Sequence, residues 1–208
     1  HGATHAGTDG SSAEQIVDLA VYPALPNVVV MHPCDDVSTK ELTMQLPGLG
    51  KPSYMRTARN KTPVLYEGKE SQIKIGKGIT LIEGNDVAII ACGVLVHEAM
   101  EAAKALQSEG ISATVVDMHT IKPLDTELLD SLSLKCGAIV TAEDHSIIGG
   151  LGGAVAEHIV TKHPVPMEKI GVHDRFGESA GSEEMLEMMG LKSHHISDAA
   201  KKVIARKA

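Results

Sequence analysis

The chain has 208 residues, a formal net charge of −8 and 43% hydrophobic residues, which fits a globular protein with room for one large or two small domains. The acidic balance and the low aromatic content, three tyrosines and one phenylalanine, argue against a nucleic-acid partner. The apolar runs are too short to span a membrane, and Cys34, Cys92 and Cys136 are too far apart for a metal knuckle or a disulfide framework. We therefore expect a cytoplasmic protein with no membrane partner.

The first part of the chain predicts a loop followed by alternating strands and helices. Residues 1–20 are small and polar up to Ile16, which indicates an exposed loop leading to a short helix. Residues 27–32 predict a strand, Asp36 or Ser38 is expected to cap a helix, and residues 53–58 predict a second strand. Prolines and glycines then punctuate residues 60–85. We accordingly predict a first domain at 1–65, a linker at 66–85 and a second domain at 86–208.

From residue 86 onwards the pattern becomes regular. Four apolar segments predict buried strands: residues 87–92, 113–117, 138–140 and 167–172. Apolar residues at spacings of three and four predict helices between and after them, with Asp125 and Ser193 as expected caps. This alternation predicts an α/β fold with a doubly wound, mostly parallel sheet and right-handed crossovers.

A polar triplet, Glu143, Asp144 and His145, follows the third of these strands. A glycine-rich stretch comes next and opens a helix; its glycines are Gly149, Gly150, Gly152 and Gly153. Polar groups at the carboxyl end of a parallel strand, facing a helix amino terminus, lie where open α/β sheets commonly bind ligands. The alternatives are an anion site, an acid and base set, a hydrogen-bonded interface cluster, and close packing of helix on sheet.

Two other local patterns are weak. Residues 177–181 match the G-x-S-x-G motif of hydrolases, but the acid and the histidine that such a triad needs do not follow in the required order. His158 and His163 are five residues apart, and His194 and His195 are adjacent, so neither pair shares one helix face as a metal site would require. The sequence therefore predicts no metal site within this chain.

Taken together, the segments of the second half resemble a known family. The segments DVAIIACGVLVHEAMEAAKAL, VVDMHTIKPLD, AIVTAEDHSIIGGLGGAVAE and GVHDRFGESA resemble the C-terminal domain of transketolases. Upstream, DGSSAEQIVDLAVYPALPNVVVMHPCD and YMRTARNKTP resemble the end of that family's pyrimidine-binding domain. HTIKPLD, FGES and the RTAR strand end separate transketolases from deoxyxylulose-phosphate synthases and dehydrogenase E1 β subunits.

The resemblance implies a thiamine diphosphate enzyme, with Mg²⁺ on the diphosphate, that transfers a two-carbon ketol unit between sugar phosphates. The diphosphate-binding domain has no counterpart in this sequence, so the resemblance implies a partner domain or subunit, an inactive isolated chain, and a homodimer formed through the C-terminal domain. A non-catalytic dimerisation or regulatory module is the alternative from another class.

The resemblance also implies substrate-binding residues. Asp9, followed by Gly10, matches an aspartate that meets substrate hydroxyl groups, and Arg59 matches an arginine that binds the sugar phosphate. A histidine of the same site corresponds either to His1 or to His5. Ala13 stands where the family usually has histidine or glutamine, and this departure favours a different acceptor or an inactive relative.

Overall fold

The computed structural model describes residues 2–207, so the candidate His1 lies outside the described residues. The strands are β1 (Val29–Met31), β2 (Ser53–Met55), β3 (Ile79–Ile82), β4 (Val87–Ala91), β5 (Ala113–Asp117), β6 (Thr120–Lys122), β7 (Ile139–Ser146) and β8 (Met167–Val172). The α-helices are α1 (Asp18–Ala24), α2 (Asp36–Gln45), α3 (Leu95–Ser108), α4 (Thr126–Cys136), α5 (Gly150–Ile159), α6 (Ser182–Met188) and α7 (Ser193–Ile204). Short 3₁₀ helices cover Thr4–Asp9, Ser11–Ala13, Leu46–Gly48 and Glu70–Gln72.

The larger sheet has the order β3-β5-β4-β7-β8, with β3 antiparallel to β5 and the other pairs parallel. Side chains alternate along β4: Val87 and Ile89 face the α3 and α7 side, whereas Ala88 and Ile90 face α4 and α5. Because both faces are covered, every residue of β4 is buried. The predicted doubly wound α/β fold is confirmed.

The smaller sheet has the order β2-β1-β6, and β6 comes from the second half of the chain. Strand β6 pairs antiparallel with β1, and the backbone N–H of His32 donates to the carbonyl oxygen of His119 at 2.8 Å. The sequence did not predict β6. The two halves of the chain are therefore joined by backbone pairing as well as by side-chain packing.

The predicted linker, residues 66–85, contains the edge strand β3 and a buried tyrosine. The hydroxyl of Tyr66 donates to Oδ2 of Asp117 at 2.8 Å, and the thiol of Cys34 donates to the same oxygen. Burial raises the pKa of Asp117 to about 7. The apolar residues of this segment complete the larger sheet, so it does more than connect two domains, and the predicted divisions at 1–65, 66–85 and 86–208 stay predictions.

Several predicted boundaries differ from the structure. The predicted exposed loop is partly buried, since residues 3–7 are buried and pack against α6 and β7, whereas Thr8, Ser11, Ser12 and Gln15 are exposed. Asp35, rather than Asp36 or Ser38, caps α2 by accepting from the backbone N–H of Ser38 at 2.7 Å. Strands β1 and β2 are shorter than predicted, at three residues each.

The caps of the later helices differ in outcome. Asp125 caps α4 as predicted, because its carboxylate accepts from the backbone N–H of Leu128 at 3.3 Å. Ser193 does not cap α7, since Lys192 takes that position and the backbone N–H of Ser193 donates to Glu98 at 2.7 Å.

Within residues 2–207, the helices are all too short or too polar to cross a lipid bilayer.

Candidate functional site

The loop that carries His5 and Asp9 is held against the larger sheet by Asp144. One carboxylate oxygen of Asp144 accepts from the backbone N–H of Thr4 at 3.0 Å and from its hydroxyl at 2.7 Å. The other oxygen accepts from the backbone N–H of His5 at 2.9 Å. Because Asp144 is fully buried, these bonds satisfy a carboxylate that would otherwise be costly to bury. Asp144 thus positions the loop.

The other side of the loop rests on α6. The side-chain amide of Asn60 donates to the carbonyl oxygen of His5 at 2.9 Å and to the hydroxyl of Ser182 at 2.6 Å. Gly7 has φ of 65° and lies so close to α6 that an added Cβ would be 3.0 Å from the backbone nitrogen of Ser182, the first residue of that helix. The loop is therefore fixed from both sides.

Glu143 occupies the amino terminus of α5. Its two carboxylate oxygens accept from the backbone N–H groups of Leu151 and Gly152 at 2.8 and 2.7 Å. Burial raises the pKa of Glu143 to about 7, although these two N–H groups act in the opposite direction. Gly150, with φ of 59°, leaves room for the carboxylate, because an added Cβ would lie 2.3 Å from Oε2. Glu143 thus occupies the backbone N–H donors at the start of α5 to which an external anion would bind.

His145 lies beside Glu143, with its Nδ1 3.7 Å from the carboxylate and 2.8 Å from the carbonyl oxygen of Ser146. Burial lowers the pKa of His145, and the nearby guanidinium of Arg56 lowers it further. The prediction that the strand ends before this triplet is wrong, since β7 continues to Ser146. The polar side chains at the end of β7 are accommodated because the loop of residues 3–7 and the start of α5 cover this edge of the sheet and supply hydrogen-bond donors.

Arg56 is the buried centre of this region, and the sequence analysis missed it. Its guanidinium forms an ion pair with Asp18 and donates to the carbonyl oxygens of Asp144 at 2.6 Å and Gln15 at 2.7 Å. Burial alone would raise the pKa of Asp18, but the hydrogen bonds and charge of Arg56 hold it below its usual value. The available signal was the spacing of Tyr54 and Arg56, because residues two positions apart in an extended segment point to the same side. In the structure both side chains contact Asp18.

Arg59 and Asp9 are brought together by the fold. The Nε of Arg59 lies 3.0 Å from Oδ2 of Asp9, with side chains 45% and 25% exposed. Arg59 lines a cleft of about 390 Å³ together with Gln15, Tyr54 and Arg56. On the other side of the segment 57–60, a second cleft of about 650 Å³ is lined by Cys34, Lys40 and Lys61 among others. Of the predicted substrate-binding residues, Arg59 thus lines a cleft, and Asp9 is its ion-pair partner.

His5 and Ala13 are placed differently from this pair. His5 is 7% exposed, and its Nδ1 has no hydrogen-bond partner among the described residues. Ala13 is half-buried, whereas the next residue, Glu14, is buried against Gly177. Burial raises the pKa of Glu14 to about 7, and the charges of Asp144 and Glu178 add to this shift. Glu14 could not be recognised from the local sequence, because its burial depends on a loop more than 160 residues away.

Comparison with known proteins decides the family. Residues 76–196, more than half of the chain, match the model described as "Transketolase, C-terminal domain". The chain belongs to the transketolase family. The predicted resemblance to transketolases is therefore confirmed.

Several relatives with transketolase names are similar over most of this chain. A putative transketolase C-terminal section of Methanocaldococcus jannaschii is 42% identical over 201 residues, covering 94% of this chain and 63% of the relative. A 6-deoxy-6-sulfo-D-fructose transketolase subunit of Clostridium sp. is 36% identical, covering 96% and 62%. A solved structure described as a split gene transketolase, inactive beta4 tetramer, has a TM-score of 0.92 at 40% identity, covering 97% of this chain and 66% of that one. This transketolase chain spans less than two thirds of these curated relatives.

Proposed function

We propose that the chain supplies the substrate phosphate-binding side of a transketolase that moves a two-carbon ketol unit between sugar phosphates in the cytoplasm. The position of Arg59 in the lining of the 390 Å³ cleft, with Asp9 as its ion-pair partner, carries this proposal. A guanidinium has five N–H donors in a planar fork, and the Nε–H engages Asp9. The remaining donors suit a phosphate, and the carboxylate of Asp9 suits the hydroxyl groups of a sugar.

The competing interpretation of this pair is an ordinary surface ion pair, which would contribute less than about 1 kcal/mol. Two observations favour a binding role. The backbone that carries each member is fixed, Asp9 by the loop that Asp144 holds and Arg59 by its neighbour Asn60. In addition, the cleft beside Arg59 is lined by Tyr54 and Gln15, which offer further polar contacts.

Thiamine diphosphate supplies the carbanion-stabilising chemistry of the proposed reaction when it is bound. The described residues do not fit its magnesium diphosphate end. The one group of three histidine, cysteine or acidic side chains in residues 2–207 that could share an ion contains two imidazoles, and it is not the oxygen set that Mg²⁺ prefers. We therefore propose that a partner domain or subunit holds the diphosphate. We also propose that this chain self-associates through residues 86–208.

The isolated chain should not bind thiamine diphosphate tightly, because residues 2–207 offer no group of side chains suited to the magnesium diphosphate. Isothermal titration calorimetry with thiamine diphosphate and MgCl₂ checks this, with the chain plus its diphosphate-binding partner as the positive control. A dissociation constant of about 1 µM or tighter, equivalent to about −8 kcal/mol, for the isolated chain would contradict the proposal.

In the enzyme reconstituted with that partner, Arg59→Ala should lower kcat/KM for phosphorylated sugars about ten- to a hundredfold, as expected for the loss of a charge-assisted contact of about 1.5–3 kcal/mol. An unphosphorylated acceptor such as glycolaldehyde should be nearly unaffected. Arg206→Ala is the matched control, since Arg206 forms an exposed ion pair with Glu168 at the end of α7. An equal loss with both classes of acceptor would instead assign Arg59 to the fold or the cofactor.

A non-catalytic dimerisation or regulatory module is the second candidate function. Ala13 favours it, because alanine removes a polar contact from the site and Glu14 beside it is packed against Gly177. Reconstitution discriminates between the two functions. Ketol transfer by the reconstituted wild-type protein supports the enzyme, whereas cofactor binding without transfer supports the module.

A further inference from the structure

A cluster of three side chains lies on the surface at the corner between α6 and α7, away from the cleft that Arg59 lines. Nε2 of His194 is 3.2 Å from Oε1 of Glu187, and Nε2 of His195 is 4.0 Å from the same oxygen. The potential ligand atoms of the three residues all lie within 4.8 Å of one another. We propose that this corner binds a divalent transition-metal ion of the zinc class.

The spacing is close to that of a tetrahedral site. Nitrogen and oxygen ligands about 2.0–2.2 Å from Zn²⁺ are about 3.3–3.5 Å apart at the tetrahedral angle. The His194–Glu187 distance of 3.2 Å nearly matches this value, the His195–Glu187 distance of 4.0 Å exceeds it by less than about 1 Å, and no two ligand atoms of the cluster are more than 4.8 Å apart. Rotation of exposed side chains can provide such a shift.

Adjacent histidines on one helix normally point about 100° apart, which is why the sequence alone predicts no site here. The fold overcomes this by supplying the third ligand from a different helix. The turn between α6 and α7 is fixed by the buried Leu191, whose backbone N–H donates to the carbonyl oxygen of Leu186 at 2.8 Å. The two imidazole rings lie 3.9 Å apart between centroids, so both are already directed to the same corner.

The positive charge closest in sequence to the two histidines, that of Lys192, is neutralised by other carboxylates and does not occupy Glu187. The ammonium group of Lys192 is held by Glu98 and Glu183, each at 2.6 Å. Two imidazoles with one carboxylate favour Zn²⁺, Ni²⁺ or Cu²⁺ over Mg²⁺ or Ca²⁺. The buried Nδ1 of His195 has no hydrogen-bond partner among the described residues, so the outer-shell support of tight sites is missing there. We therefore expect an affinity in the micromolar range.

Binding at this corner would tie the end of α6 to the start of α7. The other end of α6 contacts the loop of the candidate site, where Ser182 receives a hydrogen bond from Asn60. Because the metal binds the folded state, it should raise the melting temperature of the chain. The inference does not depend on the proposed transketolase activity, since its measurements use the chain without substrate or thiamine diphosphate.

Titration of the chelator-treated chain with ZnCl₂ at pH 7.5 tests the proposal. Calorimetry of the wild-type chain should give one site with a dissociation constant of about 1–50 µM, and MgCl₂ should give no comparable binding. His194→Ala and the nearly isosteric Glu187→Gln should each weaken zinc binding at least about tenfold, equivalent to about 1.4 kcal/mol. His173→Ala, which removes an exposed histidine elsewhere, is the matched control and should bind like the wild type.

Thermal unfolding gives a second readout that does not depend on the heat of binding. Zinc should raise the melting temperature of the wild type and of His173→Ala, but not of Glu187→Gln, and lowering the pH should weaken the effect because protons compete for the imidazole nitrogens. Wild-type binding weaker than about 1 mM, or unchanged binding in both Glu187→Gln and His194→Ala, would overturn the proposal.

Discussion

Replacing Arg56 with alanine should lower the free energy of unfolding by about 3–5 kcal/mol, the range expected when one member of a buried ion pair is removed. Arg56 and Asp18 are each almost fully buried. The substitution leaves the carboxylate of Asp18 without its cation and the carbonyl oxygens of Asp144 and Gln15 without their donor. Urea unfolding followed by circular dichroism measures the loss.

The control for Arg56 is Arg175→Ala, which removes a guanidinium from the exposed pair with Glu178 and should cost less than about 1 kcal/mol. A double variant, Arg56→Met with Asp18→Leu, should be more stable than Arg56→Ala, because no charge is then buried without a partner. Equal stability losses in the Arg56 and Arg175 variants would show that the buried pair does not organise this region.

Replacing Gly93 with alanine should cost about 2–4 kcal/mol through overpacking and an unfavourable backbone conformation. Gly93 lies two positions after the end of β4 and has φ of 57°, and an added Cβ would lie 2.0 Å from Cε1 of His32. His32 is itself buried between the two sheets, so its ring has little room to move. Thermal or urea unfolding of the variant measures this loss.

Gly153→Ala is the matched glycine control. Gly153 lies inside α5, and apart from its chain neighbours and the backbone of that helix no heavy atom of the described residues lies within 4 Å of its added Cβ. Alanine is favoured over glycine in a helix interior by up to about 1 kcal/mol, so this variant should be as stable as the wild type or more stable. If Gly93→Ala is equally stable, the close approach of the two sheets at His32 does not limit the fold.

The strands of the larger sheet were predictable because their sequences are apolar on both faces. Strands β4 and β5 lie close to the predicted segments 87–92 and 113–117, since burial between two helical layers requires continuous apolar runs. Strand β6 was missed because three residues carry no local pattern and its partner β1 lies about ninety positions earlier. Helix α6 was missed as well, because its seven residues are too few to show a clear helical repeat.

The site shows a similar division between local and long-range information. Resemblance to transketolases predicted a substrate-binding role for Asp9 and Arg59, and this role stays a prediction, although the two side chains lie side by side. The sequence could not separate the exposed Arg59 from the buried Arg56, because the two arginines are three positions apart and differ in what the fold brings to them. The role of Asp144 in holding the loop could not be predicted either, because its partners Thr4 and His5 are about 140 residues away in the sequence.

The pairing of β6 with β1 also limits how the halves of this chain can be exchanged between relatives. A hybrid that joined residues 1–65 of this chain to the later residues of a relative would keep the backbone hydrogen bonds, because any sequence supplies their donors and acceptors. The side chains at positions 32 and 93 would still have to fit each other, because Gly93 leaves no room for a Cβ beside the ring of His32. A relative with a larger residue at position 93 needs a smaller residue than histidine at position 32. Functional hybrids should therefore inherit these two positions together, although they lie on opposite sides of the junction.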